Sequence, residues 1–200
     1  MNKDDLLKHI AQTAYNVGFG AKKNFATYDI VAKMPGLISF ISLAFGVYAL
    51  VFEALNAKFF SASFIILGIV GMYITFYDAK KGEYAKTGVE LTKLFNKLKI
   101  LSGKVKAEQG ALDPYIAELE QLENEYNNLS MHHQIMFSNW YAHYKFFWEH
   151  QIDWVDEQLK FRFFRDKIPL SLMLCALLII LTIVAIANET NLLHAICAKG

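Results

Sequence analysis

Three stretches of the chain contain no Asp, Glu, Lys or Arg, and they constrain the fold more than any other feature. They cover residues 34–52, 59–77 and 168–187. At 1.5 Å per residue, a helix of this length measures roughly 28–30 Å, the thickness of the hydrocarbon core of a bilayer. Long helices buried in soluble proteins usually carry charges along one face, whereas these stretches are apolar on all sides. The sequence therefore predicts an all-α membrane protein with three spans.

Composition limits what such a chain can do. Hydrophobic residues make up 54% of the 200 residues, and the formal net charge is +1. A nucleic-acid binder held by bulk electrostatics needs a strongly basic face, so direct nucleic-acid binding is not indicated. One cysteine, Cys175, falls in the third span and the other, Cys197, near the C-terminus, which makes a disulfide framework implausible. We expect a single membrane module over residues 1–200.

The basic residues predict the orientation of the spans. Residues 1–33 and 78–167, which lie on one side of the membrane, hold 18 of the 20 Lys and Arg residues. Because cytoplasmic segments carry an excess of Lys and Arg, both segments are predicted to be cytoplasmic. The loop at 53–58 is short enough to force the first two spans into an antiparallel hairpin. That loop and the tail at 188–200 are predicted to be extracytoplasmic.

Between the second and third spans, apolar residues recur at steps of three and four, which predicts two helices joined by a turn. The first seam consists of Tyr84, Thr87, Leu91, Leu94, Leu98, Leu101 and Val105, and the second of Tyr115, Leu119, Leu122, Tyr126 and Leu129. Gly110 suits the end of the first helix, and Asp113-Pro114 suits the start of the second. We predict a coiled-coil-like cytoplasmic hairpin. Its two helices either pack only on each other or also pair with a sister subunit.

Residues 131–165 are rich in aromatic side chains. If the segment forms a helix, one stripe contains Trp140, Tyr144, Phe147, Trp154 and Phe161. Residues 140–148 are predicted to pack on an N-terminal helix whose apolar positions are Leu6, Leu7, Ile10, Ala14 and Val17. The end of the segment predicts a membrane-interface anchor, with rings at headgroup depth and cations near phosphates. This anchor consists of Phe161, Arg162, Phe163, Phe164, Arg165 and Lys167.

The search for catalytic or cofactor-binding motifs finds none. Residues 18–23 lack the glycine spacing and the Ser or Thr of a phosphate-binding loop, and they are interpreted as a flexible break in the N-terminal helix. His143, His150, Asp153 and Glu157 could share part of one helical face, but no second ligand cluster supports a metal site. Ser130, near His132 and His133, lacks a nucleophile elbow. Ionisable residues, which intramembrane enzymes need, are missing from the spans. We therefore expect no enzyme, no cofactor and no metal.

Small and hydroxylated residues do occur within the spans. They are Ser39, Ser42 and Gly46 in the first span, Gly68 and Gly71 in the second, and Ser171 and Thr182 in the third. Small side chains allow helices to approach closely in a bilayer. These residues either pack helices within one chain or line a narrow pore between subunits.

The order of segments resembles a known family. An N-terminal helix leads into KMPGLISF at 33–40 and a tight membrane hairpin, which is followed by YDAKK at 77–81 and WYAHYKFFW at 140–148. This pattern is similar to the SLATT domain, the SMODS and SLOG-associating two-transmembrane effector family, over roughly residues 1–165. The third span at 168–187 departs from a plain two-span pattern.

The resemblance implies a membrane-disrupting, pore-forming effector of bacterial antiphage defence in the inner membrane, acting by abortive infection. Such an effector would be silent until a partner or a nucleotide-derived signal triggers it. The implied partners are a cyclic-oligonucleotide synthetase, a SLOG sensor or a reverse transcriptase. Many subunits would be needed, because two or three apolar helices cannot enclose water, so a homo-oligomer is expected. The alternative function is a non-enzymatic membrane anchor or sensor for a cytoplasmic partner.

Overall fold

The computed structural model describes residues 1–53, 58–129 and 133–189, with the side chains of residues 188 and 189 left undescribed. Most of the predicted loop at 53–58 and of the tail at 188–200, Cys197 included, lies outside the described residues. Ser130 and His132 also lie outside them. The secondary structure of the described residues is helical, without strands. The prediction of an all-α protein is confirmed.

The N-terminal helix and the first span form one continuous helix, α1, from Lys3 to Ala49. Asn2 caps it, because its side chain accepts a hydrogen bond of 2.8 Å from the backbone N–H of Asp5. The flexible break predicted at residues 18–23 is wrong, since this segment is helical throughout. Pro35 also lies inside α1, where it removes one backbone hydrogen bond at the boundary between the two halves.

The second span, α2 (Lys58–Thr75), returns beside α1 as a helical hairpin. The two helices meet through aromatic rings, with the centroid of Phe45 4.5 Å from that of Phe64 and 5.3 Å from that of Phe60. Most other side chains of the two spans are exposed in the single chain, such as Phe40 and Leu43. Such a surface is stable only in an apolar solvent.

Two further helices, α3 (Lys81–Ala107) and α4 (Asp113–Leu129), form the predicted hairpin. Lys97 pairs with Glu125 and Lys104 with Glu118, which is the order expected of antiparallel helices. The hairpin is not free-standing, because α3 packs mainly along α1. All the N-terminal apolar positions predicted to face the bundle are buried, as is most of the α3 seam. The bundle core is thus shared by the first half of α1, α3 and α4.

The aromatic segment does not form one long helix. It forms α5 (Ser138–Phe147) and the short α6 (Asp153–Leu159), and α6 ends at Lys160 in a left-handed conformation with φ 53°. The predicted stripe from Trp140 to Phe161 is therefore divided between separate elements. The prediction that residues 140–148 pack on the N-terminal helix is confirmed, because Ala142 and Phe146 are fully buried and the ring of Phe146 contacts Tyr15 edge-on.

The chain divides into two compact units, residues 1–160 and 161–200. The second begins with a π-helical turn, Phe163–Lys167, and continues into α7 (Leu170–Glu189). Pro169 precedes α7, and its carbonyl accepts hydrogen bonds from the N–H groups of Leu172 and Met173. Within the described residues, three helices are long and apolar enough to cross a membrane, and each overlaps one of the predicted spans. The single module over residues 1–200 stays a prediction.

Candidate functional site

The most distinctive region of residues 1–160 is the junction, which we define as the place where α1 and α2 leave the bundle and meet residues 133–141. Its centre is a buried cluster of Val31, Ile74 and Ile135, contributed by α1, α2 and the segment before α5. Met34 and Tyr73 pack on this cluster from the two spans. Tyr73 also accepts a hydrogen bond of 3.3 Å at its hydroxyl oxygen from the backbone N–H of Met136. The junction therefore connects the bundle to the spans through both apolar and polar contacts.

An ion-pair cluster borders the junction. The Nζ atom of Lys145 on α5 lies 2.8 Å from Asp29 Oδ2, and that of Lys33 lies 2.7 Å from Asp29 Oδ1. Burial opposes ionisation of Asp29, but the hydrogen bonds from Lys145 and Lys33 lower the pKa of its carboxyl below the usual value. Burial lowers the pKa of Lys145, but the hydrogen bond and the negative charge of Asp29, with smaller effects of Tyr141 and Glu149, together outweigh burial, so this pKa is raised. All three groups remain charged at neutral pH.

Buried polar contacts hold residues 133–135 in place. Thr27, which is fully buried in α1, donates a hydrogen bond to the side-chain carbonyl of Gln134, whose amide donates one of 3.2 Å to Asn24 Oδ1. From α3, the Tyr84 hydroxyl donates to the carbonyl of His133 at 2.7 Å. Side chains from two helices thus fix a segment that has no secondary structure of its own. Such networks are costly to break, because each freed group stays buried.

A cavity of about 710 Å³ opens beside the junction. One wall comes from α1 with Lys33 and Met34, a second from α2 with Val70, and a third from the start of α5 with Trp140. The lining is mostly apolar, and its charged groups are Asp29 and Lys33. This combination of apolar walls and a few polar groups is typical of ligand pockets, which measure roughly 300–1,000 Å³.

The structure leaves open space beside the predicted glycines of the spans. A side-chain carbon added at Gly46, Gly68 or Gly71 would meet nothing within 4 Å. Two of the hydroxyls bond to their own helix, Ser39 to the carbonyl of Pro35 and Thr182 to that of Leu178. Ser42 is half-buried and Ser171 is exposed. These residues do not form a site within one chain, and their role as pore lining or subunit interface stays a prediction.

The predicted anchor lies at the start of the second unit. Its backbone turns through the π-helical segment Phe163–Lys167, which Asp166 stabilises by accepting a hydrogen bond of 2.8 Å from the N–H of Arg162. Phe163 and Phe164 are exposed, the latter by 72%. Exposed rings beside arginines, immediately before an apolar helix, suit the headgroup region of a bilayer. Insertion at that depth stays a prediction.

The histidines do not assemble a metal site in the part of the chain that the structure describes. There, no group of three or more His, Cys, Asp or Glu side chains could hold an ion. His143 lies against Phe19 and His150 against Phe95, each with ring centroids 4.8 Å apart. Glu157 pairs with Lys106 instead, at 2.6 Å. His143, His150 and Glu157, three of the four residues considered as ligands, therefore serve different contacts.

Sequence reasoning missed the residues that build the junction. Asp29, Lys145 and Gln134 were not singled out, because their partners lie about a hundred positions away in the chain. A usable signal does exist: Asn24 and Thr27 are polar residues on the face of α1 that also carries Val17 and Val31, and all four are buried. Polar residues on a buried face usually find hydrogen-bond partners, so they indicate a network.

These features define a class of protein. It is a helical membrane protein in which one long helix, α1, belongs both to the helical bundle and to the membrane hairpin. The family model of SMODS and SLOG-associating 2TM effector domain 6 (SLATT) matches residues 1–187, and the chain belongs to this family. Comparisons with curated proteins and with solved structures gave no match.

The family match confirms the resemblance noted in the sequence and extends it. The matched residues include most of α7, whereas the sequence pattern suggested an end near residue 165. The chain is accordingly a defence-associated membrane effector, of a family associated with SMODS and SLOG partners. The family is one of membrane effector domains and not a known enzyme family.

Proposed function

We propose that this protein is a pore-forming effector of a bacterial antiphage system of the abortive-infection type. It would permeabilise the inner membrane as a homo-oligomer. The observation that carries the proposal is the continuity of α1. At 1.5 Å per residue, its 47 residues form a rod of roughly 70 Å that has one half in the bundle core and the other in the membrane hairpin. A change in bundle packing would therefore act directly on the first span.

Pro35 divides the two halves of this rod. The bundle half ends near Val31, which is buried, and the residues beyond Pro35 are mostly exposed. Because Pro35 lacks the N–H that would bond to the carbonyl of Val31, the helix is weakest at this boundary. A hinge here would let the spans rearrange while the bundle stays folded.

Assembly between copies would use the small-residue face of the hairpin. Gly46, Gly68 and Gly71 have open space beside them in one chain, so another copy can approach their backbones closely. A single hairpin cannot enclose water, but a ring of hairpins can. Neither catalysis nor a cofactor is needed for this activity. The trigger would be a defence partner such as a cyclic-oligonucleotide synthetase, a SLOG sensor or a reverse transcriptase, or the signal that the partner makes.

The orientation we propose places the N-terminus and residues 78–167 in the cytoplasm, where the trigger arises. An Asn56→Cys variant, with Cys175 and Cys197 replaced by Ser, should be labelled by an impermeant thiol reagent in intact cells. A second variant, Gln109→Cys on the predicted cytoplasmic side, should be labelled only after lysis. The reverse pattern would contradict the orientation.

Expression together with the triggering partner tests the activity itself. We expect loss of membrane potential and uptake of an impermeant dye before cell growth stops, and neither event without the trigger. Growth arrest with an intact potential would contradict pore formation. If the partner is recruited to the membrane but no leak occurs, the alternative function, a membrane anchor or sensor, would replace pore formation.

A further inference from the structure

We propose that the junction cavity is a lipid site, which holds one acyl chain of an anionic glycerophospholipid with the phosphate near Lys33. Nothing in the family match assigns a ligand to this cavity. The inference does not depend on pore formation, because it concerns binding to the single chain. It depends on where the cavity lies, how its polarity is arranged and which charges border it.

The position of the cavity determines what can enter it. Two of its walls belong to membrane spans, with Met34 and Leu37 on α1 and Ile69 and Val70 on α2. Ile69 and Val70 are also exposed by 56% and 40%. The cavity is therefore open to the hydrocarbon of the bilayer, where acyl chains are the molecules present at high concentration. An empty apolar groove at this depth would forfeit contacts that a lipid chain supplies.

Polarity changes along the cavity as it does along a phospholipid. On α1, Asp29, Lys33 and Leu37 follow one another at intervals of one helical turn, so the charged groups lie at the bundle end and the apolar ones toward the span. On α2, the hydroxyl-bearing Tyr73 lies one turn closer to the bundle than Ile69. Trp140 lines the same region, at the level where indole rings are favoured in membranes.

Lys33 is the group at the bundle end that can attract a phosphate. Asp29 is shared by Lys33 and Lys145, and Glu149 lies 3.8 Å from Lys145, so these four groups balance in formal charge. The Lys33 side chain is 71% exposed and that of Asp29 only 14%, which leaves the Lys33 ammonium accessible. Neither Lys145 nor Glu149, which follows the end of α5, lines the cavity, so Lys33 is the cation among the lining residues. An accessible lysine beside membrane helices can bind a lipid phosphate.

The bound chain would touch both the spans and the bundle. Ile135 and Met136 follow Gln134, which the hydrogen bond from Thr27 holds, and together with Trp140 of α5 they line the same cavity as Val70. A lipid in this position would contact both the membrane hairpin and the bundle. Its binding would therefore stabilise the arrangement of these two parts seen in the structure.

Quenching of Trp140 fluorescence by brominated lipid tests the proposal. In the full chain with Trp148→Phe and Trp154→Phe, Trp140 is the single tryptophan. The protein is purified in a mild detergent and titrated with phosphatidylglycerol brominated on its acyl chains. We expect saturable quenching at about one lipid per chain, reversed by unbrominated phosphatidylglycerol but not by inorganic phosphate. Quenching that rises linearly without saturation would reflect partition into the micelle and would overturn the proposal.

Variants of α2 locate the site. Val70→Phe fills the cavity and should weaken lipid binding at least about fivefold. Ile69→Phe, at a more exposed position of the same wall, provides a second test if Val70→Phe folds poorly. Ile66→Phe is the matched control, because Ile66 lies on α2 with an exposure close to that of Ile69 but does not line the cavity. Equal binding by all three variants would overturn the proposal.

Two further measurements test the headgroup preference and ask whether a second copy of the chain occupies the cavity instead of a lipid. Lys33→Gln should reduce the preference for phosphatidylglycerol over phosphatidylcholine about threefold while quenching persists. An unchanged preference would contradict the role of Lys33. Sedimentation under the same conditions should show that lipid binding does not alter the oligomeric state. Displacement of the lipid as the chain dimerises would assign the cavity to a second copy instead.

Discussion

The ammonium of Lys145 lies 2.8 Å from Asp29 Oδ2, and this ion pair fastens α5 to α1 at the edge of the cavity. The two side chains are only 15% and 14% exposed. Breaking a partly buried pair from one side leaves the other charge poorly solvated, which costs more than losing an exposed pair. The pair also holds the last turn of α5 against α1, and the start of the same helix supplies one wall of the cavity.

The first prediction follows from this pair. Asp29→Asn should lower the free energy of unfolding by about 1–3 kcal/mol, because Lys145 stays half-buried without its carboxylate. Glu125→Gln, which breaks the exposed Lys97–Glu125 pair, should cost less than about 1 kcal/mol. Thermal unfolding of the full chain in detergent, followed by circular dichroism, measures both. Equal losses in the two variants would contradict a structural role for the Asp29–Lys145 pair.

A second prediction concerns close packing on α1. A side-chain carbon at Gly18 would lie 2.8 Å from Phe95 Cδ2 and 2.9 Å from Phe146 Cε2. Both rings are buried and cannot move aside without disturbing the core. Gly18→Ala should therefore destabilise the chain by about 1–3 kcal/mol.

Gly20→Ala is the matched control for this substitution. At Gly20 the nearest atom, Leu91 Cδ1, is 3.6 Å from the added carbon, an ordinary contact distance. Because alanine favours helices more than glycine does, Gly20→Ala should stabilise the chain by up to about 1 kcal/mol. Denaturation midpoints of the two variants should move in opposite directions. Stabilisation of both variants would mean that helix propensity, and not space, decides the outcome, whereas destabilisation of both would mean that Gly20 is as closely packed as Gly18.

The third prediction concerns pH. Burial against aromatic rings, together with the positive charges of Lys22 and Lys99, lowers the pKa of His150 to about 4. Burial also lowers the pKa of His143. As the pH falls below 6.5, the unfolded chain binds protons at these positions that the folded chain still excludes. The free energy of unfolding should therefore fall between about pH 6.5 and pH 4.

His150→Phe tests the origin of this pH dependence. Within the described residues, His150 Nε2 is buried and has no hydrogen-bond partner, so phenylalanine removes the titrating group without breaking a bond. The variant should lose part of the decrease in melting temperature between pH 7.5 and pH 5. The remaining decrease should include the contribution of His143. An unchanged pH profile would show that other groups control stability in this window.

Much of the fold follows from local sequence patterns. The uncharged stretches predicted the spans, and the steps of three and four predicted α3, α4 and the buried face of α1. Each of these patterns depends only on which side of a single helix meets water, lipid or the core. The helix break predicted at Gly18 is wrong for the opposite reason. A glycine in a helix can mean either a break or a close contact, and only the rings of Phe95 and Phe146, which come from distant elements, distinguish the two.

The division between α5 and α6 also depends on tertiary contacts. The aromatic residues from Trp140 to Phe161 keep helical spacing, so their pattern alone predicts one helix. In the folded chain the ring of Phe95 contacts both His150 and Trp154, which belong to the break and to α6. The junction is equally non-local, since Asp29 and Lys145 are 116 positions apart. The spacing of residues along the chain does not predict pairs that are so far apart.

The last prediction concerns assembly in the membrane. Gly68→Leu should leave the single chain folded, because a side-chain carbon added at Gly68 meets nothing within 4 Å and the side chain extends from an exposed position. If copies pack through this face, leucine keeps their backbones apart, and triggered dye uptake should fall at least about tenfold. Gly36→Leu is the matched control, since Gly36 is equally open but lies outside the predicted small-residue set. Melting temperature in detergent should be unchanged in both variants. Full dye uptake by Gly68→Leu would exclude this face from the pore, whereas equal loss in both variants would show that any added bulk in the spans prevents permeabilisation.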